Sequence, residues 1–457
     1  MTTIKDFVDT IDAVGGSVFA VGGSVRDEFL GIKPKDLDVV VFQVPIEVIE
    51  DILRKMQVKF SIVGKAFGVI KARFSDAGEV DIALPRRESS TGPGHKDFTV
   101  ECAPDIPLEE DAKRRDFTIN AMYRNLKTGE LVDPLMGQSA FKKNRFFYNQ
   151  LRPTSPTSFL EDPLRILRGV QFAARFGMEF NALTRDQIRE ALPLLASISE
   201  ERIALELEKL LVKAHKPSVG LQIMADMGIM KHVLPELVPL YTIDQPAKHH
   251  NANAFLHTLR VVDAVRPEIN MRFAALFHDL GKATTFNRDE DGRITFHGHE
   301  GESFRIANEI IDRLKLFTRE GFDREKVGRL IKNHMFSNGD KVTKRAIRRL
   351  IRKAGGPEDF QDLIQLRVAD KIGGANPQTI WRHLEFLRRA MEIFNEQPAM
   401  SVTDLNISGR DLIAMGVPEG PRIGSIMRDL FSQVEGGLEN TFPVLEVAAL
   451  TLIKEGE

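Results

Sequence analysis

Near Asp162 the spacing of apolar residues changes period, and that change limits the architectures open to this chain. Upstream, apolar residues come in short runs of strand length, broken by glycine turns. Residues 18–21 are apolar and end in Gly22-Gly23-Ser24. Residues 37–42 form a nearly continuous apolar run, as a strand buried on both faces requires. Residues 46–56 have helical spacing, and 61–74 and 79–84 predict two more strands around the turn Ser75-Asp76-Ala77-Gly78. The polar, Gly- and Pro-rich stretch 86–111 predicts a long loop, often a functional feature inside a compact domain. Downstream of Asp162 the spacing is helical almost without relief. Patches fall at 163–176, 184–195, 199–213, 218–227, 257–265, 271–280, 301–314, 344–353 and 359–371. The expected fold is an α/β head, a mixed β-sheet with helices, followed by an all-α body.

A chain of 457 residues exceeds one ordinary core and predicts several domains, with linkers near 241–246 and 373–377. Its formal net charge is -2, so an RNA partner would need a local basic surface. Cys102 is the one cysteine, which excludes an intramolecular disulfide and points to a reducing compartment. Residues 1–14 carry Asp6, Asp9 and Asp12 and do not resemble a signal or transit peptide. No apolar run is long enough for a bilayer, so no membrane partner is expected and the expected location is the cytoplasm.

Asp36 and Asp38 lie two apart where a strand begins, a spacing that puts both side chains on one face. Such a pair offers oxygen ligands to divalent metal ions, as two-metal phosphoryl transfer needs. Alone, Asp-x-Asp reads equally as a turn residue and a strand-edge charge. The turn Gly22-Gly23-Ser24, with Arg26 just after it, shifts the balance. Its glycines let backbone approach a triphosphate, and the following helix start favours anions. Asp81, between Val80 and Ile82 on another predicted strand, is a candidate third carboxylate. Lys113-Arg114-Arg115 is a basic cluster ahead of a predicted apolar strand.

These residues sit in a longer pattern. Phe19-Ala20-Val21-Gly22-Gly23-Ser24-Val25-Arg26-Asp27 precedes Lys35-Asp36-Leu37-Asp38. Val63-Gly64-Lys65-Ala66-Phe67-Gly68-Val69-Ile70, Arg114-Arg115-Asp116-Phe117-Thr118-Ile119-Asn120 and Glu161-Asp162-Pro163-Leu164-Arg165 follow, then Arg168 and Phe172-Ala173-Ala174-Arg175. Taken in this order, they resemble the class II tRNA nucleotidyltransferase and bacterial poly(A) polymerase superfamily over nearly the whole chain. The stretch 92–120 is most similar to the proteobacterial CCA-adding subtype that carries an HD domain. The resemblance implies magnesium at Asp36 and Asp38 and a nucleotide contact at Arg115, with Asn120 toward the sugar. Gly22, Gly23, Ser24 and Arg26 would bind the nucleotide.

It also gives Asp162 and Arg165 the role of choosing the base, with Arg168 supporting them or meeting phosphate. The chemistry suits that role. Cytosine and adenine both present an exocyclic amine beside a ring-nitrogen acceptor, which a carboxylate and a guanidinium can read. Guanine and uracil place a carbonyl where the amine stood, and an unpaired group in a dry pocket costs roughly 1–3 kcal/mol. Asp162 before Pro163 also reads as a helix N-cap, with Arg165 an ordinary surface arginine.

In the body, His257, the doublet His278-Asp279, His299, His334 and Asp370 follow the order H…HD…H…H…D. That order resembles the HD superfamily of metal-dependent phosphohydrolases. Imidazole with carboxylate suits a divalent, including a transition, metal. The resemblance implies one ion at His257, His278, Asp279 and Asp370. His299 and His334 would complete a second site or bind phosphate, and Lys282 would meet an anionic substrate. Phosphatase or 2′,3′-cyclic phosphodiesterase activity follows, with a scaffold role as the alternative.

Lys344, Arg345, Arg348, Arg349, Arg352 and Lys353 form a basic helical stripe, either a phosphate track or a solvated face. Residues 407–424 are similar to the C-terminal tail of many bacterial CCA-adding enzymes. The expected division is a nucleotidyltransferase head (1–145), a helical neck with nucleotide-selecting and RNA-binding helices (146–240), an HD domain (241–375) and a tRNA-contacting tail (376–457). The implied function is CCA addition to tRNA from CTP and ATP, by a monomer or homodimer. CC-only or A-only addition, poly(A) synthesis, and an HD phosphohydrolase with an RNA-binding head are the rivals.

Overall fold

The computed structural model describes residues 2–34, 36–63, 69–90, 98–143, 147–245, 253–339, 341–374, 380–395 and 401–455. Lys35, the centre of the 63–70 motif, the loop around Gly92 and the ends of both expected linkers lie outside those residues. The chain forms two compact units, residues 1–233 and 234–457.

The first unit opens with α1 (Ile4–Ala13), β1 (Ser17–Val21), α2 (Gly23–Phe29), β2 (Leu37–Phe42) and α3 (Ile46–Lys55). Then come β3 (Lys59–Val63), β4 (Val69–Phe74), β5 (Gly78–Ala83), β6 (Arg86–Ser90), β7 (Phe98–Cys102) and α4 (Leu108–Lys113). Two short strands follow, β8 (Tyr123–Asn125) and β9 (Leu131–Val132). Seven strands form one mixed sheet in the order β3-β4-β5-β2-β1-β8-β9. β2 pairs parallel with β5 and antiparallel with β1.

The apolar run of β2 has the expected cause. Val39 and Val41 join a core with Phe7 and Ile11 of α1 and Ile49 and Leu53 of α3. Val40 and Phe42 face the other way, onto Ala112, Ala121 and Tyr123. The strand is buried on both faces, so alternation disappears.

Three expectations need correction. Residues 61–74 are two strands, β3 and β4, paired antiparallel from Lys59↔Arg73 to Val63↔Val69. Their alternation carries through, so run length alone joins them. The loop at 86–111 holds the β6–β7 ribbon and α4. That ribbon stands outside the main sheet. Backbone ladder bonds, and ion pairs from Arg87 to Glu101 at 3.3 Å and Glu110 at 2.5 Å, hold it, and only β7 carries an apolar alternation, Phe98, Val100 and Cys102. After Arg115 there is a buried 3-10 turn, Thr118–Asn120, where a strand was expected.

The unit continues as helices α5 (Ser158–Glu161), α6 (Leu164–Phe176), α7 (Ala182–Ala191), α8 (Glu200–Lys213), α9 (Pro217–Asp226) and α10 (Met230–Val233). α6 packs closely because Gly169 faces Phe117 and Phe180; a Cβ there would lie 2.8 and 2.9 Å from their rings.

Among the described residues the second unit's regular structure is helical apart from one short ribbon, β10 (Asn287–Arg288) with β11 (Ile294–Thr295). Its helices are α11 (Ala254–Ala264), α12 (Ile269–Phe277), α13 (Lys282–Thr285), α14 (His299–Arg313), α15 (Arg324–Asn333), α16 (Lys344–Ala354) and α17 (Pro357–Gly373). α18 (Ile380–Asn395), α19 (Gly409–Ala414), α20 (Pro421–Glu435) and α21 (Phe442–Glu455) complete it. Every residue of α12 from Met271 to Phe277 is buried, marking the centre of this unit. Gly373 lets α17 meet α11; a Cβ there would lie 3.0 Å from His257 Nδ1.

Candidate functional site

In the first unit a cleft of about 480 Å³ gathers Gly23, Ser24, Arg26, Asp36 and Asp38. Arg175 from α6 and Lys213 from α8 also line it. The strand-turn-helix at its edge forms because Gly22 adopts φ +69°, which favours glycine, and Ser24 Oγ donates to Val21 O at 2.9 Å. Asp36 lies in a bend just before β2, so the cleft, and not strand alternation, brings the two carboxylates together.

Asp81 is registered directly beside Asp38 on the parallel neighbour β5. Crowding by protein pushes the Asp38 carboxyl above its usual pKa, and the charges of Asp81 and Asp36 add to the push. Lys71 neutralises Asp81 at 2.9 Å. The remaining negative charge and the all-oxygen donor set fit a hard divalent cation such as magnesium.

Behind the cleft the polar side chains interlock. Arg26 donates to Asn120 Oδ1 at 2.8 Å, and Asn120 donates to Asp116 Oδ1 at 2.9 Å. Arg168 grips Asp116 Oδ2 at 2.8 and 2.6 Å. Burial pushes the Asp116 carboxyl up, but Arg168 and Asn120 outweigh it and hold it below its usual pKa. The Arg26 guanidinium lies 4.7 Å from the Phe176 ring centre, so α2, the 3-10 turn and α6 are cross-linked.

Arg115 donates to Tyr123 Oη and to Asp111 Oδ2, both at 3.1 Å, and its Nη1 would be 3.5 Å from a Cβ at Gly22. Asp162 receives the N–H of Leu164, the first residue of α6, at 3.1 Å, and Arg202 at 3.1 Å, while the N-cap position of α6 is Pro163 and not Asp162. Arg165 is 7% exposed, not a surface arginine. It donates to Ser158 Oγ at 2.8 Å and Arg114 O at 2.6 Å. The Arg165 N–H donates to the Asp162 carbonyl at 3.0 Å, but among the described residues no side-chain hydrogen bond joins Asp162 to Arg165. Gly22, Arg115, Asn120, Asp162, Arg165 and Arg168 thus stand in the surrounding frame, while Arg26 serves both frame and cleft.

Sequence reasoning assigned no role to Asp111, Asp116 or Lys213. Asp116 had a signal, its place after Arg114-Arg115. Lys213 had none, since only the packing of α6 and α8 brings it to the cleft.

In the second unit the histidines converge from helix faces and ends. His257 sits on α11, His278-Asp279 follows α12, His299 opens α14, His334 closes α15 and Asp370 lies on α17. Asp279 faces two ways. Its Oδ2 is 3.4 Å from His257 Nε2 and 3.1 Å from His278 Nε2. Its Oδ1 is 3.4 Å from His299 Nε2 and 3.9 Å from His334 Nε2. Two buried clusters result, His257-His278-Asp279 and Asp279-His299-His334, each able to hold a metal ion. Asp370 Oδ1 approaches His257 Nε2 at 3.1 Å, while its Oδ2 meets Arg367 at 2.8 Å.

Three of the rings are oriented alike. His278, His299 and His334 each place Nδ1 2.8, 2.8 and 2.6 Å from the carbonyl three residues earlier. A carbonyl only accepts, so Nδ1 carries the proton in each, and His299 and His334 leave Nε2 bare toward the cluster; burial pushes the His278 pKa down, but Asp279 outweighs it and holds it above the usual value. His299 and His334 then aim bare Nε2 atoms at each other across 3.3 Å, an arrangement that a shared cation relieves. Burial pushes the His334 pKa down to about 3, with the neighbouring His278 adding to it, so its ring is neutral at pH 7. Lys282 lines the adjoining cavity but is held by Asp279 at 2.6 Å and Gln245 at 2.7 Å.

Comparison with known proteins agrees with both halves. Residues 18–146 match the poly A polymerase head domain, 177–240 the probable RNA and SrmB-binding site of polymerase A, and 255–373 the HD domain. The fold and sites define a poly(A)-polymerase-type nucleotidyltransferase head joined to a helical body with an HD domain. The multifunctional CCA protein of Janthinobacterium sp. (strain Marseille) is 35% identical over 65% of this chain and 68% of that one. Its counterpart in Paraburkholderia phytofirmans is 36% identical over 66% of this chain and 72% of that one. The chain belongs to the multifunctional CCA protein family.

Among solved structures, the Bacillus stearothermophilus CCA-adding enzyme in complex with CTP matches with a TM-score of 0.69 at 21% identity, covering 98% of this chain and 97% of that one. The Thermotoga maritima CCA-adding enzyme complexed with tRNA matches with a TM-score of 0.55 at 20% identity, covering 98% and 94%. Those likenesses concern the fold. Among the described residues no helix is long and apolar enough to cross a membrane.

Proposed function

We propose that this chain completes tRNA 3′ ends with C, C and A from CTP and ATP, using the single cleft at Asp36 and Asp38. The observation that carries the reading is the convergence of the Gly23-Ser24 turn, both carboxylates and the cations Arg175 and Lys213 in that cleft. Asp36 and Asp38 would hold magnesium, which when bound polarises the attacking hydroxyl and neutralises the departing pyrophosphate. The turn and the cations seat the triphosphate. Gly22 keeps the backbone low beside Arg115, so the nucleotide meets guanidinium and not a side-chain methyl. The tRNA 3′ oxygen bonds the α-phosphorus as the bond to pyrophosphate breaks.

Asp162 and Arg165 would read the base, and the bonds from Arg202, Ser158 and the Arg114 carbonyl hold those two groups in place. Asn120 and Arg168 anchor that frame to α2 through Asp116. The 146–240 neck and the 376–457 tail would carry the tRNA. Cytoplasmic location and a monomer or homodimer fit this reading. As its test, Asp36→Ala and Asp38→Ala should each cut nucleotide addition at least about 10³-fold, in line with removal of one strong electrostatic catalytic group. Retained addition by Asp38→Ala would sink the mechanism.

The two clusters meeting at Asp279 support a second reading, an HD phosphohydrolase that binds two divalent ions per chain. Such ions would activate water and neutralise phosphate oxygens. In an Asp36→Ala/Asp38→Ala background, elemental analysis after metal loading should find two ions per chain, one when His334→Ala is added and none when Asp279→Ala is added. A content of one in that background, unaltered by His334→Ala, would contradict it.

A further inference from the structure

Three hollows follow one another along residues 332–339 of the second unit. The first is the HD cavity, about 350 Å³, reached by His334 and Met335. The second, about 300 Å³, shares Met335 with the first and is lined by Lys332, Arg349 and Lys353 over a floor that includes Phe336 and Leu350. The third, about 280 Å³, contains Asn338, Gly339, Trp381 and Arg382, and Trp381 is 63% exposed.

The second hollow takes two of the six basic residues in the α16 stripe, Arg349 and Lys353. Arg345 donates to Ser432 Oγ at 2.7 Å, Arg348 to Val434 O at 3.2 Å, and Arg352 pairs with Glu435 at 2.7 Å. That flank is spent on docking α20. Arg349 and Lys353, four apart and therefore neighbours on the helix, lie on the other flank. Among the described residues no carboxylate lines their hollow. Nearby Arg329 is neutralised by Asp359 at 2.7 Å. Among the described residues Lys332, Arg349 and Lys353 have no such partner. Three exposed cations around one concave space favour an anion there, and the space opens beside a phosphate-chemistry centre. An exposed aromatic beyond it adds the stacking surface that single-stranded nucleic acid uses.

We infer that the second hollow is a phosphate subsite of the HD centre, one that makes a polynucleotide end a better substrate than a mononucleotide. The inference rests on the phosphohydrolase reading. The terminal phosphate would lie in the first cavity and the preceding one against Lys332, Arg349 and Lys353, with a base toward Trp381. In the step itself the oxygen of water bonds phosphorus, the bond from phosphorus to the sugar oxygen breaks, and the proton of the water passes to that oxygen.

The test compares kcat/KM of the metal-loaded full chain on a pentaribonucleotide ending in 2′,3′-cyclic phosphate and on 2′,3′-cyclic AMP. Wild type should favour the oligonucleotide at least about tenfold, a modest value for the contacts at stake. Arg349→Ala/Lys353→Ala should lower that preference about tenfold, through KM and not kcat. Its oligonucleotide affinity should fall less steeply with salt, by up to about 0.7 in the logarithmic slope, as loss of one neutralised phosphate on a single strand requires. Arg349→Lys/Lys353→Arg should restore the preference. Equal use of both substrates by wild type, or an unaltered preference in the double alanine variant, would overturn the subsite while leaving the hydrolase reading standing. No hydrolysis of either by wild type would remove the hydrolase reading, and the subsite with it.

Discussion

Asp111 is fully buried among Arg114, Arg115 and Tyr123. Burial pushes its carboxyl up, but the two guanidinium groups and the phenol outweigh that and hold its pKa at about 2. A free aspartate lies near 3.9, so the unfolded chain takes up this proton first as pH falls. The stabilisation, on the order of 2 kcal/mol, is whole above about pH 4 and drains between pH 4 and 2. Asp111→Asn should cost about 3 kcal/mol in urea unfolding at pH 7, since Arg115 would remain buried beside a neutral amide. The gap to wild type should narrow below pH 4; a constant gap would assign the loss to packing. At this scale the sequence was informative about Asp36, Asp38 and the histidines, whose types are rare in such patterns. It was silent on partners, since the bonds of Arg165 to Ser158 and Arg114 exist only once the chain has folded.

Elements place the chemistry through close approaches that glycine permits. The Gly281 N–H bonds Ser303 Oγ at 2.8 Å, and a Cβ at Gly281 would sit 2.3 Å from the carbonyl oxygen of His299. Gly281→Ala must therefore move the start of α14, which carries His299. Metal affinity should drop about 10–100-fold, as it does when a ligand loses its support. Isothermal titration would show it, and wild-type affinity in this variant would mean that α14 shifts without cost to the ligand set. Gly169→Val, pressed on Phe117 and Phe180, should destabilise by about 1–3 kcal/mol in the same urea assay. Strongly periodic helices such as α6, α8 and α16 were legible before any coordinates. β6 was not, because Arg86–Ser90 holds no apolar residue, and the alternation of Phe98, Val100 and Cys102 in β7 was too short to stand out in a polar stretch. β3 and β4 merged because their alternation continues from one strand into the other.

The change of period at Asp162 correctly separated the strand-bearing head from the helical body. It did not mark the limit of the first compact unit, which extends to Val233, because α5 to α10 belong to the same compact unit as the head. Periodicity reports what a segment buries, not what it buries it against. The two units hold separate chemistries, so Asp279→Ala should leave nucleotide addition to tRNA within about twofold of wild type, while chelating divalent metal should abolish it. The decisive measurement supplies purified chain with tRNA transcripts ending at the discriminator base, after CC and after CCA. Each receives CTP, ATP or both with magnesium, and the 3′ ends are sequenced. The account predicts completion to CCA on the first two and no growth on the third. Addition of CC alone, of A alone, or of long A tails would contradict it, and no addition at all would leave the second unit as the seat of function.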